Sequence, residues 1–142
     1  MDMKSHAVIV LRDGRKTLFV QRSAAKKSLP NIWAFPSGTV EEGEAVETTI
    51  HREAMEELGI TVEIDGTMGT MDIEKFGVRL HFIACRTKEG EARITEPDEI
   101  QTLRWMTFEE FFGEYSDTEI GHGLIWMRTR PEMWEPAVAE SA

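Results

Sequence analysis

The chain has 142 residues, with 26 Asp and Glu against 16 Lys and Arg, a formal charge of −10. That length fits one domain running 1–142, long enough to bury a core without disulfides or structural metals. At 41% hydrophobic and 30% charged the composition is that of a folded, water-soluble domain. The longest uninterrupted apolar run, Ala7–Leu11, falls far short of the ~20 residues that cross a bilayer, so no membrane partner is expected. The acidic balance argues against a nucleic-acid polymer held by bulk charge. A single cysteine, Cys85, and no secretory pattern at Met1–Lys4 make the cytoplasm the expected compartment.

In chain order, Ala7–Leu11 and Thr17–Gln21 read as strands around Arg12-Asp13-Gly14-Arg15, where Asp-Gly is a strong hairpin signal. Arg22–Asn31 is a basic loop carrying Arg22, Lys26 and Lys27; it either reaches substrate phosphates or is simply solvated. Trp33-Ala34-Phe35 is a short strand stopped by Pro36. A helix is expected from about Glu44 to Leu58, ended by Gly59 in a left-handed conformation. Thr61–Ile64, Thr67–Ile73 and Val78–Arg86 follow as strands, separated by Asp65-Gly66 and the Gly77 region, with Leu103–Met106 as a further strand. Thr107 caps a short helix, Phe108–Phe112, and Asp117–Arg128 is read as helical, with Pro131 beyond its end. Residues 136–142 are expected to be a frayed tail. Strands on both sides of a central helix, with more helix at the end, point to an α/β fold with a mixed sheet.

Gly38–Ile60 holds seven glutamates (41, 42, 44, 47, 53, 56 and 57) and one arginine, Arg52, a formal charge of −6. At about 100° per residue, Val46, Ile50, Ala54 and Leu58 form an apolar stripe. Glu53 and Glu57 project within ~20° of Val46, at the edge of that stripe, with Glu56 on the adjoining flank. An ordinary amphipathic helix puts its acids on the opposite side, in water. Crowded carboxylates repel one another and raise one another's pKa values unless cations neutralise them. Hard divalent cations with all-oxygen ligands, Mg²⁺ or Mn²⁺ in its place, account for the arrangement. Arg52 either pairs with Glu56 at i,i+4 or braces the preceding loop with its planar fork. Gly38 stands where a loop turns tightly and approaches phosphate oxygens closely. The four histidines form no ligand spacing with Cys85, which argues against zinc.

These residues match the Nudix box, Gly-x5-Glu-x7-Arg-Glu-U-x-Glu-Glu-x-Gly-U, with U a bulky aliphatic residue. Gly38, Glu44, Arg52, Glu53, Glu56, Glu57 and Gly59 fill all seven fixed positions; Ile60 fills one aliphatic slot and the smaller Ala54 the other. If each residue type occurs at roughly 5–10%, a chance match is on the order of 10⁻⁸ per window. The chain therefore resembles the Nudix hydrolases. The resemblance implies an α/β/α sandwich with a mixed β-sheet and the box as a loop–helix–loop. The implied reaction is Mg²⁺-dependent hydrolysis of a nucleoside diphosphate linked to some group X. Glu53, Glu56 and Glu57 become metal ligands, and Glu44, Gly38, Gly59 and Arg52 shape the box. Glu53 or a later acid is then the general base, and Glu99 occupies the place of one more acid.

Asn31–Gly38 resembles the entry of MutT-type triphosphate hydrolases, with Ser37 where they usually carry Gly. A (d)NTP cleaved to monophosphate and pyrophosphate is the expected substrate. ADP-ribose, dinucleoside polyphosphate or coenzyme A hydrolysis, and a non-catalytic nucleotide-binding module, are the alternatives. Arg22, Phe35 and Gly38 are the expected substrate contacts, although Trp33 and Phe35 serve equally well as core. Monomer and homodimer both remain open.

Overall fold

The computed structural model describes residues 3–135; the tail expected at 136–142 lies outside them. The chain runs β1 (Lys4–Asp13), β2 (Lys16–Arg22), β3 (Trp33–Ala34), β4 (Ser37–Thr39), α1 (Val46–Leu58), β5 (Thr61–Ile73), β6 (Val78–Glu89), β7 (Ile100–Met106), α2 (Phe108–Glu114) and α3 (His122–Arg128). Single 3₁₀ turns occupy Glu74–Phe76 and Pro131–Met133.

Strand β1 organises the sheet. It lies parallel to β6, with Ala7 opposite His81 and Leu11 opposite Cys85, and antiparallel to β4, with Ala7 opposite Gly38. Its end turns through Gly14 (φ 62°) into β2, which pairs antiparallel with β3 and β7. The Asp-Gly hairpin is therefore present, and the sheet is mixed. Because β1 is covered on both sides, its apolar run needs no alternation. Ala7, Ile9 and Leu11 face α1, packing with Ile50, Ala54 and Leu58. Val8 and Val10 face the other side, among Phe19, Phe82, Phe108, Phe111 and Leu124. Helices on both faces of the sheet make the α/β/α sandwich.

Several boundaries differ from the sequence reading. The two strands expected at 61–64 and 67–73 are one strand, β5; Asp65-Gly66 shifts its register against β6 instead of ending it. Such bulges absorb an extra residue without breaking the ladder. β6 runs on to Glu89 and β7 starts at Ile100, because pairing with neighbouring strands extends both. β4 was not anticipated; its three residues are held by β1. The helix expected at 117–128 forms only from His122, because Glu119 O and Gly121 N–H are engaged by the backbone of Trp33, each at 2.9 Å. α1 begins at Val46, two residues after Glu44. Thr107 does cap α2, in a reciprocal capping box with Glu110. Among the described residues no helix is long and apolar enough to cross a membrane.

Candidate active site

Thirteen residues of α1 present Arg52, Glu53, Glu56 and Glu57 along one side. Ile50, Ala54 and Leu58 are fully buried against the sheet, so that packing fixes the rotation of the helix. Glu53 and Glu57 consequently sit half-buried at the edge of the packed face, and Glu56 is exposed. Gly59 ends the helix at φ 67°, a conformation that costs glycine little.

Arg52 is the hub of the preceding loop. Its Nε and Nη2 donate to the two oxygens of Glu44 at 2.9 and 3.0 Å, its Nη2 also to Thr39 O at 3.1 Å, and its Nη1 to Glu53 at 2.8 Å. The i,i+4 contact to Glu56 is longer, 3.3 Å. The bracing role thus dominates over the helical pair. Glu44 also accepts from Thr49 Oγ1 at 2.6 Å and Glu41 N–H at 3.1 Å. The Arg52 hydrogen bonds, followed by those of Thr49 and Glu41, hold its carboxyl down at about 2.

Gly38 differs from expectation. It lies in β4 outside the left-handed region, not in a tight turn. A Cβ there would stand 2.1 Å from Glu53 Cδ, so the bare backbone is what lets the Glu53 carboxyl lie against β4.

Electrostatically, Glu57 is the anomaly. Burial pushes its carboxyl up to about 8, reinforced by Glu53, Glu96, Glu99 and Glu56. Its Oε2 is buried without a hydrogen-bond partner. Burial also raises Glu53, against the opposing pull of Arg52. Glu96, which is not among the residues expected from the sequence, acts on both carboxyls; its only local signal is its place in the same acidic turn as Glu99, Glu96-Pro97-Asp98-Glu99.

Glu99 itself pairs with Lys26 Nζ, and its carbonyl accepts from Ser23 N–H at 2.9 Å. No local pattern relates Lys26, a member of the basic loop, to Glu99, 73 residues away. Arg22 lines a small cavity with Phe35, Ser37, Glu57 and Glu99. Its guanidinium donates to Ser28 O at 2.7 Å and Leu29 O at 3.1 Å, so these bonds close its own loop. Phe35 is 5% exposed, part of the aromatic core against Phe19, Phe82 and Phe108, and it also forms part of the cavity wall.

The donor set suits a hard cation: carboxylate oxygens only, one of them buried and unpartnered. Among the described residues no three acid, histidine or cysteine side chains already converge as a cation cage.

A family model described as NUDIX domain matches residues 2–124. The 8-oxo-dGTP diphosphatase of Escherichia coli is 40% identical over 109 residues, covering 74% of this chain and 84% of that protein. Nudix hydrolase 2 of Arabidopsis thaliana is 31% identical over 108 residues, 74% of this chain; the match spans 39% of that longer protein. The NAD-capped RNA hydrolase NudC of Mannheimia succiniciproducens is 29% identical, with 42% of its length matched. The chain thus aligns with about two fifths of the length of the last two. Among solved structures, a MutT NUDIX hydrolase from Burkholderia pseudomallei superposes with a TM-score of 0.70 at 21% identity, covering 89% of this chain and 95% of that one. With an intact box, a sandwich of this topology and a family match across most of its length, the chain belongs to the NUDIX-domain family.

Proposed function

We propose that this chain is a single-domain, Mg²⁺-dependent hydrolase of a diphosphate bond in a nucleotide, with a (d)NTP as substrate and nucleoside monophosphate and pyrophosphate as products. The observation that carries the reading is the buried, unpartnered Glu57 oxygen among four other acids. An acid kept in that setting is costly to the fold without a cation. The 40% identity to a diphosphatase of an oxidised dNTP favours the triphosphate over other X groups.

On this reading Glu53, Glu56 and Glu57 hold the metal, with Glu96 or Glu99 completing the acidic rim. When bound, the metal supplies positive charge to the phosphoryl oxygens and lowers the pKa of an attacking water. The chain's own work is orientation. The Arg52–Glu44 fork fixes the loop before α1 and turns Glu53 inward. Gly38 leaves the space Glu53 occupies. Ser37, Phe35 and Arg22 bound the cavity beside Glu57 and are the proposed contacts of the nucleotide.

A phosphate- and pyrophosphate-release screen with Mg²⁺ or Mn²⁺ tests this across dNTPs, oxidised dNTPs, ADP-ribose, dinucleoside polyphosphates and coenzyme A. Pyrophosphate from a dNTP, lost by at least about 10²-fold in Glu57→Gln with the fold retained, is the expected result. Cleavage of ADP-ribose, a dinucleoside polyphosphate or coenzyme A instead of an intact or oxidised dNTP overturns the substrate class. Silence across the panel overturns the enzymatic reading and favours a nucleotide-binding module; an active Glu57→Gln overturns the assignment of Glu57 to the metal.

A further inference from the structure

The last turn of α1 contains no basic residue, and the final carbonyls of a helix have no partner within it. Here they are taken up from outside. Thr95 Oγ1 donates to Glu56 O, Thr95 N–H to Glu57 O at 3.4 Å, Arg93 N–H to Leu58 O at 3.0 Å and Arg93 Nη1 to Gly59 O at 3.4 Å. The Arg93 guanidinium lies directly over Gly59, where a Cβ would come within 2.7 Å of its Cζ. Gly59 therefore has two jobs: it adopts the left-handed turn and it seats the arginine. A cation at this end also complements the helix dipole.

These contacts belong to residues 90–99, which join β6 to β7 without helix or strand of their own. Thr95 is followed directly by Glu96, and Glu99 closes the segment. The backbone groups that Thr95 binds belong to Glu56 and Glu57 themselves. Glu96, one residue from Thr95, is thus tied through the main chain to Glu56 and Glu57. Lys26 and Ser23 secure the far end at Glu99.

Resting on the metal-binding reading above, we propose that Arg93 and Thr95 are positioning residues, an external cap on α1 that holds the segment carrying Glu96 and Glu99 beside Glu57, with which Glu99 shares a cavity. A cap that merely stabilised the helix would alter melting and leave cation affinity alone. The cap proposed here does the reverse: Arg93 is exposed and contributes little to packing, yet it sets the spacing of the acids.

The test uses the full chain, with Mn²⁺ alone as the probe. Arg93→Ala should weaken Mn²⁺ binding about tenfold, read by water-proton relaxation. It should also speed amide hydrogen exchange at Thr95 and Glu99 while melting stays close to the parent. Arg93→Lys, which keeps the charge, should recover most of that affinity. Thr95→Val should shift affinity and exchange in the same direction as Arg93→Ala. Parental Mn²⁺ affinity in both Arg93→Ala and Thr95→Val, or losses that only track the unfolded fraction, would overturn the proposal. If the parent chain itself binds no Mn²⁺, the metal-binding reading fails. Exchange at Thr95 and Glu99 in the Arg93→Ala variant then decides the cap separately: faster exchange supports it and unchanged exchange refutes it.

Discussion

Replacing Gly38 by alanine places a methyl carbon 2.1 Å from Glu53 Cδ and 2.2 Å from its Oε1, where ordinary contact begins near 3.4 Å. The Glu53 carboxyl must therefore move by more than about 1 Å, and its 2.8 Å bond to Arg52 is lost. A partly buried, charge-assisted hydrogen bond of this kind is worth about 1.5–3 kcal/mol. Alanine returns about 0.5–1 kcal/mol by restricting the unfolded chain, since the native backbone at Gly38 is outside the left-handed region. The net destabilisation is about 1–2 kcal/mol, a fall in Tm of roughly 3–8 °C for a domain of this size. Activity should drop far more, by about 10²-fold, because a 1 Å displacement of a group at the reacting centre costs on that order. Thermal melts and pyrophosphate release, run on the same preparations, measure both. Gly113→Ala in α2 is the control, with nothing within 4 Å of its new methyl. It should melt at or above the parent and keep full activity. In a Glu53→Ala background the stability cost of Gly38→Ala should vanish, since the clashing atoms are gone. The same cost in both backgrounds, or a Gly38→Ala enzyme within twofold of parental turnover, would refute the account of Gly38 as space for Glu53.

Glu44 is held at about 2, below its ordinary 4.5, first by the Arg52 hydrogen bonds. A lowered folded-state pKa contributes stability above 4.5 that disappears as the pH falls from 4.5 through about 2. Glu44→Gln should therefore flatten that part of the acid-denaturation curve, as followed by urea midpoints against pH; an unchanged acid limb would contradict the fork. Cys85 is fully buried on β6 and burial pushes its thiol up to about 12. At about pH 8 it should resist alkylation in the native protein and react promptly in denaturant. Rapid native-state labelling would show that β6 opens locally.

Much of the candidate site was legible from local spacing, because its central element is a helix. The 3.6-residue period alone put Glu53 and Glu57 beside the apolar stripe, and the stripe itself, Ile50, Ala54 and Leu58, is what packs on the sheet. Gly59 as the helix stop, Thr107 as a cap and Asp13-Gly14 as a hairpin are likewise local chemistry, decided within four residues. The continuous apolar run of β1 signalled a strand covered on both faces.

Local patterns were silent wherever the decisive partner lies far along the chain. β4 exists because β1 supplies its hydrogen bonds, and the first part of the expected helix at 117–128 is a turn and an isolated bridge because Trp33 claims its backbone groups. Gly38 read as a turn glycine until Glu53, fifteen residues on, filled the space beside it. Lys26 meets Glu99 across 73 residues, and Arg93 covers Gly59 across 34. By itself, then, the amino-acid order settled the helix, its acids and the family box, since these depend on short-range geometry. The partners of Gly38, Gly59, Lys26 and Glu99 emerged only on folding, because non-local pairing answers to shape and burial, which no short window of sequence contains.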